Sequence, residues 1–113
     1  MKIAVLIKQV PGSESSLPIN ASENWLDENG VTYVMNESDS YAIEEALQIS
    51  EKNQDVEVVV VSMGPERIKK VLREALAKGA HRAIHVSTQE SETTDPLSTA
   101  KTLAENLKDE NFD

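Results

Sequence analysis

The sequence has 113 residues and a formal net charge of −9, with 39% hydrophobic and 27% charged residues. This length suits one core, so we expect a single α/β domain over residues 1–113. The acidity argues against nucleic-acid or anionic-membrane partners, and no apolar run approaches the roughly 18 residues of a membrane span. The absence of cysteine excludes disulfides and thiolate chemistry, and with no signal-peptide pattern we expect a cytoplasmic protein.

The first third of the chain predicts a buried strand, a loop and a small hairpin. Residues 3–7 are apolar at every position, which is typical of a strand buried on both faces in a parallel sheet. Residues 9–23 are rich in Ser, Pro, Gly and Asn and predict a loop. Asn29-Gly30 is a hairpin turn signal, so we expect residues 25–26 to pair with residues 31–34, with the tryptophan packed beneath.

The middle of the chain predicts helix, strand and helix. Asn36 or Ser38 can cap a first helix that runs to about Asn53. Residues 56–61 predict a second buried strand, and Gly64-Pro65 ends it and opens a second helix that stops at Gly79. The apolar faces of the two helices are predicted to comprise Ala42, Ile43, Ala46, Leu47 and Ile49, and Ile68, Val71, Leu72, Ala75 and Leu76.

The last third predicts a strand over residues 82–86, a polar loop over residues 87–95 and a final helix that begins at Asp95-Pro96. Five residues of this helix are expected to point inward: Leu97, Ala100, Leu103, Ala104 and Leu107. The alternation of buried strands with amphipathic helices predicts a three-layer α/β/α sandwich with a mostly parallel, Rossmann-like sheet. Another strand would follow Asp113, so we expect this chain to be an incomplete part of its domain, truncated at the C-terminus.

Candidate binding residues lie where the predicted strands end. In an open parallel sheet, ligands bind beyond the carboxyl ends of the strands; here those ends are residues 6–8, 62–65 and 85–87. The helix start at residues 36–39 adds free N–H groups and short polar side chains. These backbone and short polar groups suit an adenosine. However, ordinary helix capping and the transition from strand to helix would explain the same residues.

Other chemistries find no support in the sequence. The chain has neither the G-x-G-x-x-G fingerprint nor the G-x-x-x-x-G-K-[ST] loop, which disfavours dehydrogenase-type cofactor binding and P-loop hydrolysis. No nucleophile–base–orienter set is recognisable, so we predict no catalytic residues. His81 and His85 are four apart, but across a helix end and a strand, so we predict no shared metal site.

Three blocks of the chain together resemble electron-transfer flavoprotein β subunits. The blocks are MKI running to IKQVP at residues 1–11, MN to EEAL at residues 35–47, and VVVVSMGP at residues 58–65 followed by LREALAKGAHRAI at residues 72–84. They occur in the family's order and spacing, and together they span nearly the whole chain. The resemblance implies an electron carrier rather than a stand-alone catalyst, on half of the family's nucleotide-binding domain.

The resemblance also implies ligands and partners. A β subunit holds AMP, or FAD in electron-bifurcating relatives, and pairs with an α subunit that carries the redox-active FAD supplied with electrons by flavin dehydrogenases. By position, the family's nucleotide contacts fall on Leu6, Asn36, Glu37, Ser38, Asp39 and Met63. Glu37 stands where family members often have proline; because it would repel a phosphate, we expect its side chain to face away.

Two alternatives stay open, and one further expectation follows. The chain could be a stand-alone adenine-nucleotide-binding homodimer of the universal-stress-protein kind, or a degenerate product with a structural role only. The resemblance also implies that residues 3–7 lack their outer neighbour strand. An unpaired apolar edge favours association, so we expect this fragment either to borrow a strand from another copy or to form a homodimer through that edge.

Overall fold

The computed structural model describes residues 1–23, 25–89 and 95–113. Residues 90–94 of the predicted polar loop lie outside this description. The elements in chain order are β1 (Lys2–Leu6), β2 (Gln9–Pro11), β3 (Tyr33–Met35), α1 (Glu37–Lys52), β4 (Glu57–Gly64), a 3₁₀ turn (Glu66–Ile68), α2 (Lys69–Lys78), β5 (Arg82–Ser87) and α3 (Pro96–Leu107). The three predicted strands and three predicted helices are therefore confirmed.

The main sheet has the strand order β1-β4-β5 and both of its strand pairs are parallel. Leu6 is in register with Val61, and Gly64 with Ser87, so the carboxyl ends of the three strands lie along one edge. This sheet has helices on both faces, which confirms the predicted three-layer arrangement.

The valine run of β4 supplies the centre of both apolar layers. Val58 and Val60 pack with α1 and α2 on one face, whereas Val59 and Val61 pack with Leu103 and other residues of the α3 side. All four valines are fully buried because alternate strand residues point to opposite faces, each covered by helix. A run that is apolar at every position is therefore what this middle strand requires.

The helical stripes are narrower than the sequence predicts. Ile43 and Ala46 of α1 are buried, as are Val71, Leu72 and Ala75 of α2. Other residues predicted to point inward are exposed instead: Ala42, Leu76, Leu97, Ala100 and Ala104. Each predicted stripe is wider than the surface that the helix contacts. In α3 only Leu103 and Leu107 reach the apolar layer on their face of the sheet.

The predicted hairpin is wrong. Residues 33–35 pair antiparallel with Gln9–Pro11, inside the segment predicted to be loop, and Leu26 forms only an isolated bridge with Ile19. Gly30 does adopt a positive φ of 79°, and the chain turns at residues 29–30 as the sequence predicts. A turn signal specifies a local bend, but it does not specify which distant strand the next segment joins. Trp25 is 47% exposed rather than packed beneath a hairpin.

Two predicted helix ends have the expected geometry and one differs. Gly79 has φ 125° and ends α2, and Asp95 caps α3 by accepting from the backbone N–H of Ser98 at 2.8 Å. Asn36 occupies the cap position of α1, but its side chain makes no capping hydrogen bond. The backbone of Asn36 therefore lies at the helix start, but its side-chain amide makes no hydrogen bond to the helix.

The outer edge of β1 is covered at both ends. The Glu57 N–H donates to the Met1 carbonyl and the Ile7 N–H donates to the Val61 carbonyl. The backbone N–H and C=O groups of odd-numbered residues of β1 therefore point toward β4. On the opposite edge, the Lys2 carbonyl accepts from the backbone N–H of Asp113, and the Lys2 N–H donates to the Asp113 carboxylate. At Lys8, α1 supplies the partners. The uncovered stretch of this edge is thus limited to the backbone groups of residues 4 and 6.

Candidate functional site

The carboxyl ends of β1 and β4 bring two predicted site residues to one face of the sheet. Leu6 is in register with Val61, and Met63 follows Val61 by two residues, so all three side chains point to the α3 side. Leu6 is 51% exposed and Met63 is half-buried. A ligand above this corner would meet apolar atoms from both strands.

The start of α1 is fastened to the same corner. The backbone N–H of Asn36 donates to the carbonyl of Lys8 at 2.9 Å. The carboxylate of Asp39 accepts from the backbone N–H of Lys8 at 2.8 Å. Because Lys8 follows Leu6 by two residues, the structure brings the predicted helix-start residues to the end of β1.

The four helix-start residues differ in what their side chains contact. Asp39 is committed to Lys8, and the Glu37 carboxylate accepts from the hydroxyl of Tyr41 at 3.4 Å along the outer side of α1. Ser38 is exposed, and Asn36 is half-buried without a capping bond. Asn36 and Ser38 therefore present short polar groups that the helix itself does not use.

A cavity of about 210 Å³ lies over the carboxyl end of β4. Its lining residues are Lys8, Gln9, Trp25, Glu28, Met63, Gly64, Pro65, Arg67, Ile68, Thr88, Gln89 and Thr99. Of the six residues assigned to nucleotide contacts by the resemblance, Met63 contributes to it, and Lys8, Gly64 and Pro65 come from the wider strand-end candidates. The wall combines apolar side chains with both signs of charge, so it can accept a ligand that has a flat apolar part and polar edges.

Leu6 lines a different concavity. A groove of about 360 Å³ runs between the outer edge of β1 and helix α1. Its walls are Ile3, Ala4, Val5, Leu6, Ala42, Glu45, Ala46 and Ile49. The groove is almost wholly apolar, and Glu45 is its one ionised wall residue. Leu6 therefore lies both at the corner formed by the ends of β1 and β4 and on the uncovered edge of β1.

A polar network around Arg67 forms part of the cavity wall, and sequence reasoning missed it. The guanidinium donates to Gln9 Oε1 at 3.0 Å and to Glu28 Oε1 at 3.2 Å, and it lies 3.9 Å from the centre of the Tyr33 ring. The Tyr33 hydroxyl donates to the same Glu28 oxygen at 2.6 Å. These residues are 39 and 58 positions from Arg67, so no local pattern could reveal the network.

The network sets the charge states of its members. The hydroxyl of Tyr33, and then Arg67, hold the pKa of the Glu28 carboxyl below its ordinary value, although burial opposes the effect. Burial, and then the neighbouring Glu28 carboxylate, raise the pKa of the Tyr33 phenol. At neutral pH the cavity wall therefore carries a carboxylate paired with a guanidinium.

The two histidines serve the backbone at opposite ends of β4. His81 Nδ1 accepts from the backbone N–H of Val58 at 2.9 Å, and His85 Nε2 lies 2.9 Å from the carbonyl of Gly64. A carbonyl oxygen only accepts, so His85 donates there. Each ring continues the hydrogen bonding of the central strand.

None of the helices in the part of the chain described above is both long and apolar enough to cross a membrane. The large exposed apolar side chains are distributed over loops, strands and helices.

Comparison with known proteins identifies the family. The fold is a parallel α/β sheet in which the carboxyl ends of β1, β4 and β5 lie along one edge. Residues 24–113 match the family described as "Electron transfer flavoprotein domain". The chain therefore belongs to the electron transfer flavoprotein family.

Individual relatives specify the similarity further. The chain is 41% identical over 111 residues to the electron transfer flavoprotein subunit beta of Methylophilus methylotrophus, covering 97% of this chain and 42% of the relative. It is 38% identical over 105 residues to that subunit of Dictyostelium discoideum, covering 93% and 41%. It is 36% identical over 108 residues to the caffeyl-CoA reductase-Etf complex subunit CarD of Acetobacterium woodii, covering 96% and 41%. The chain thus spans about two fifths of these relatives' length.

Proposed function

We propose that this chain acts as the corresponding part of an electron transfer flavoprotein β subunit. In this proposal it holds an adenine nucleotide and assembles with an α subunit that carries the redox-active FAD. The family match over residues 24–113 and the similarity to β subunits support the proposal. The flavin supplies the electron transfer, and the residues of this chain supply binding and position.

The nucleotide is proposed to lie at the corner formed by the ends of β1 and β4 and the start of α1. Its contacts would be Leu6, Asn36, Glu37, Ser38, Asp39 and Met63. The chemistry of this corner fits an adenosine, because Met63 and Leu6 offer apolar contact and Asn36 offers an uncommitted amide. The ligand in this subunit would be AMP, or FAD if the protein is of the bifurcating kind.

Charge at the corner also supports an anionic ligand. Lys8 is exposed beside the helix start, and the positive end of α1 lies at the same place. Of the two acidic side chains there, Glu37 accepts from Tyr41 along the outer side of α1, while Asp39 stays at the corner and accepts from the backbone N–H of Lys8. In this proposal a phosphate lies beside the Lys8 ammonium and the helix N-terminus, on the side away from the Asp39 carboxylate.

The single observation that carries the proposal is the fastening of Asn36 and Asp39 to Lys8. It joins the helix start to the strand end, so that two family contact regions that are 30 residues apart in sequence form one surface. Nothing in the local sequence requires this junction.

Assembly with the α subunit is tested by co-expression of this chain with an electron transfer flavoprotein α subunit. The proposal predicts that a tagged chain retains a yellow, flavin-containing partner through size-exclusion chromatography. A colourless chain that elutes by itself would contradict the heterodimer. Reduction of the complex by a flavin dehydrogenase would then test the electron donor, which we also propose by family.

For the chain by itself we keep the expected homodimer through the outer edge of β1. Because Asp113 and α1 cover the two ends of this edge, only the backbone groups of residues 4 and 6 are offered for pairing. We therefore propose weak association that increases with protein concentration. Light scattering that gives a monomer mass at all concentrations would contradict it.

A further inference from the structure

Arg67 connects three segments that the chain otherwise leaves far apart. Its guanidinium bonds to Gln9 of β2 and to Glu28 of the following loop, and it stacks on Tyr33 of β3. Its own carbonyl accepts from the side chain of Gln9 at 3.3 Å, so the Gln9 amide is held from both sides. Arg67 lies in the 3₁₀ turn that directly follows β4, and it thereby ties the β2–β3 ribbon to the end of the central strand.

The tied segments form one wall of the 210 Å³ cavity. Gln9, Trp25, Glu28 and Arg67 line this wall, and a second set of lining residues comes from Met63 and Gly64 at the end of β4 and from the adjacent Pro65. Trp25 lines the cavity beside Glu28, and its side chain contributes to the lowered pKa of the Glu28 carboxyl, after Tyr33 and Arg67. The distance between the two walls is therefore set by contacts that converge on Arg67.

We propose that Arg67 is a positioning residue that fixes the Trp25 wall over the strand ends and so sets the opening through which a nucleotide reaches Met63. This inference rests on the proposed function for the identity of the ligand. Arg67 acts through its neighbours, and its role is to keep Trp25 and Glu28 at a constant distance from β4.

Arginine suits this role for a chemical reason. Its planar fork reaches two acceptors in fixed directions while its flat face stacks on an aromatic ring, and the compact ammonium of lysine does not reproduce this geometry. Arg67 Nε is buried without an acceptor among the residues that the structure describes, so the side chain keeps this pose at the cost of one unmade bond. An Arg67→Lys substitution keeps the positive charge but removes the planar group that bonds to Gln9 and Glu28 and stacks on Tyr33.

The test compares Arg67→Lys with Arg82→Lys as a matched control. Arg82 also bonds to two acceptors, Glu57 and Glu110, but it does so at the amino end of the sheet. Trp25 is the only tryptophan of the chain, so its time-resolved fluorescence anisotropy reports on the cavity wall without added label. The second measurement is AMP affinity by isothermal titration calorimetry.

We expect Arg67→Lys to increase the amplitude of nanosecond depolarisation of Trp25 and to weaken AMP binding about tenfold, because the ligand must then order the loosened wall when it binds. Arg82→Lys should change neither measurement, whatever it does to unfolding. Glu28→Gln should reproduce part of both effects, and the double variant should show less than their sum because the two residues share one network.

Two results would overturn the inference. Unchanged anisotropy in Arg67→Lys would show that Arg67 does not hold the wall. An equal loss of AMP affinity in Arg82→Lys would show a general effect of destabilisation. If the wild-type chain binds no AMP, the proposed function fails, and the anisotropy measurement alone then decides whether Arg67 fixes the wall.

Discussion

Asp39 in the first turn of α1 accepts a hydrogen bond from the backbone N–H of Lys8, 2.8 Å away, at the point where the chain leaves β1. The neighbouring Asn36 N–H donates to the carbonyl of the same Lys8 at 2.9 Å. Together these bonds replace, for one residue, the strand that would otherwise pair with this edge. They also orient the helix whose start forms the proposed nucleotide corner.

Asp39→Ala should therefore destabilise the fold by about 1 kcal/mol, because it leaves the Lys8 N–H without its acceptor and removes a carboxylate from a helix N-terminus. Asp39→Asn keeps an acceptor oxygen and should lose less. Urea unfolding of both variants gives the comparison, and hydrogen exchange of the Lys8 amide locates the effect. Equal stability of Asp39→Ala and the wild type would show that the bond contributes nothing.

His81 supplies an acceptor to a strand residue that is fully buried. Val58 is 0% exposed, and its N–H donates to His81 Nδ1 just before the ladder between β4 and β5 begins. His81→Phe should cost about 1 to 2 kcal/mol in unfolding free energy, since a buried donor loses its partner. His81→Asn, which retains an acceptor, is the control. If the Phe and Asn variants unfold at the same urea concentration, the bond is not the cause.

Ser62, unlike Val58, has a buried polar group that makes no hydrogen bond among the residues that the structure describes. The atom concerned is its Oγ, and the side chain is 1% exposed. Ser62→Ala should stabilise the protein by about 1 kcal/mol, because it removes a buried polar group that makes no bond. Ser15→Ala should destabilise it, since Ser15 exchanges hydrogen bonds with the backbone of Thr32. A loss of stability in Ser62→Ala, measured by thermal unfolding, would contradict this interpretation.

Glu110 should make stability depend on pH in the acid range. The hydrogen bond from Arg82, and then the one from Lys2, lower the pKa of the Glu110 carboxyl from 4.5 to about 2. Because the folded-state pKa is lowered, this contribution is fully present above about pH 4.5 and is lost as the pH falls through about 2.

Glu110→Gln should consequently be less stable than the wild type at neutral pH, and the two unfolding curves should converge near pH 2. Glu74→Gln, at an exposed position of α2, is the matched control and should follow the wild type throughout. A constant difference between Glu110→Gln and the wild type from pH 7 to pH 2 would contradict the proposed ion-pair origin.

Strands and helices could be predicted because their signals are local. The apolar run at residues 58–61 and the stripe through Val71, Leu72 and Ala75 each reflect burial of that segment itself. The strand pairing of β2 with β3 could not be predicted, because it depends on which distant segment is nearby after folding. The same limit explains why Leu76 and Leu97 were assigned to a core that does not reach them.

The sequence could propose where a candidate site lies, but it could not predict the contacts within it. The rule that ligands bind beyond parallel strand ends directs attention to residues 6–8 and 62–65, and the resemblance supplied the helix start. Neither route could reveal that Asp39 is committed to Lys8 or that Arg67 joins Gln9 to Glu28. Those contacts require side chains from separate segments to meet in three dimensions.

The most direct test of the account is AMP titration of the wild-type chain by calorimetry, with Asn36→Ala as the test variant and Asn53→Ala as its control. Both residues flank α1, but the Asn53 side chain already donates to the carbonyl of Ile49 at the far end of the helix. The account predicts saturable binding of one AMP, weakened about tenfold in Asn36→Ala and unchanged in Asn53→Ala. An absence of binding by the wild type, or equal affinity of all three proteins, would contradict it.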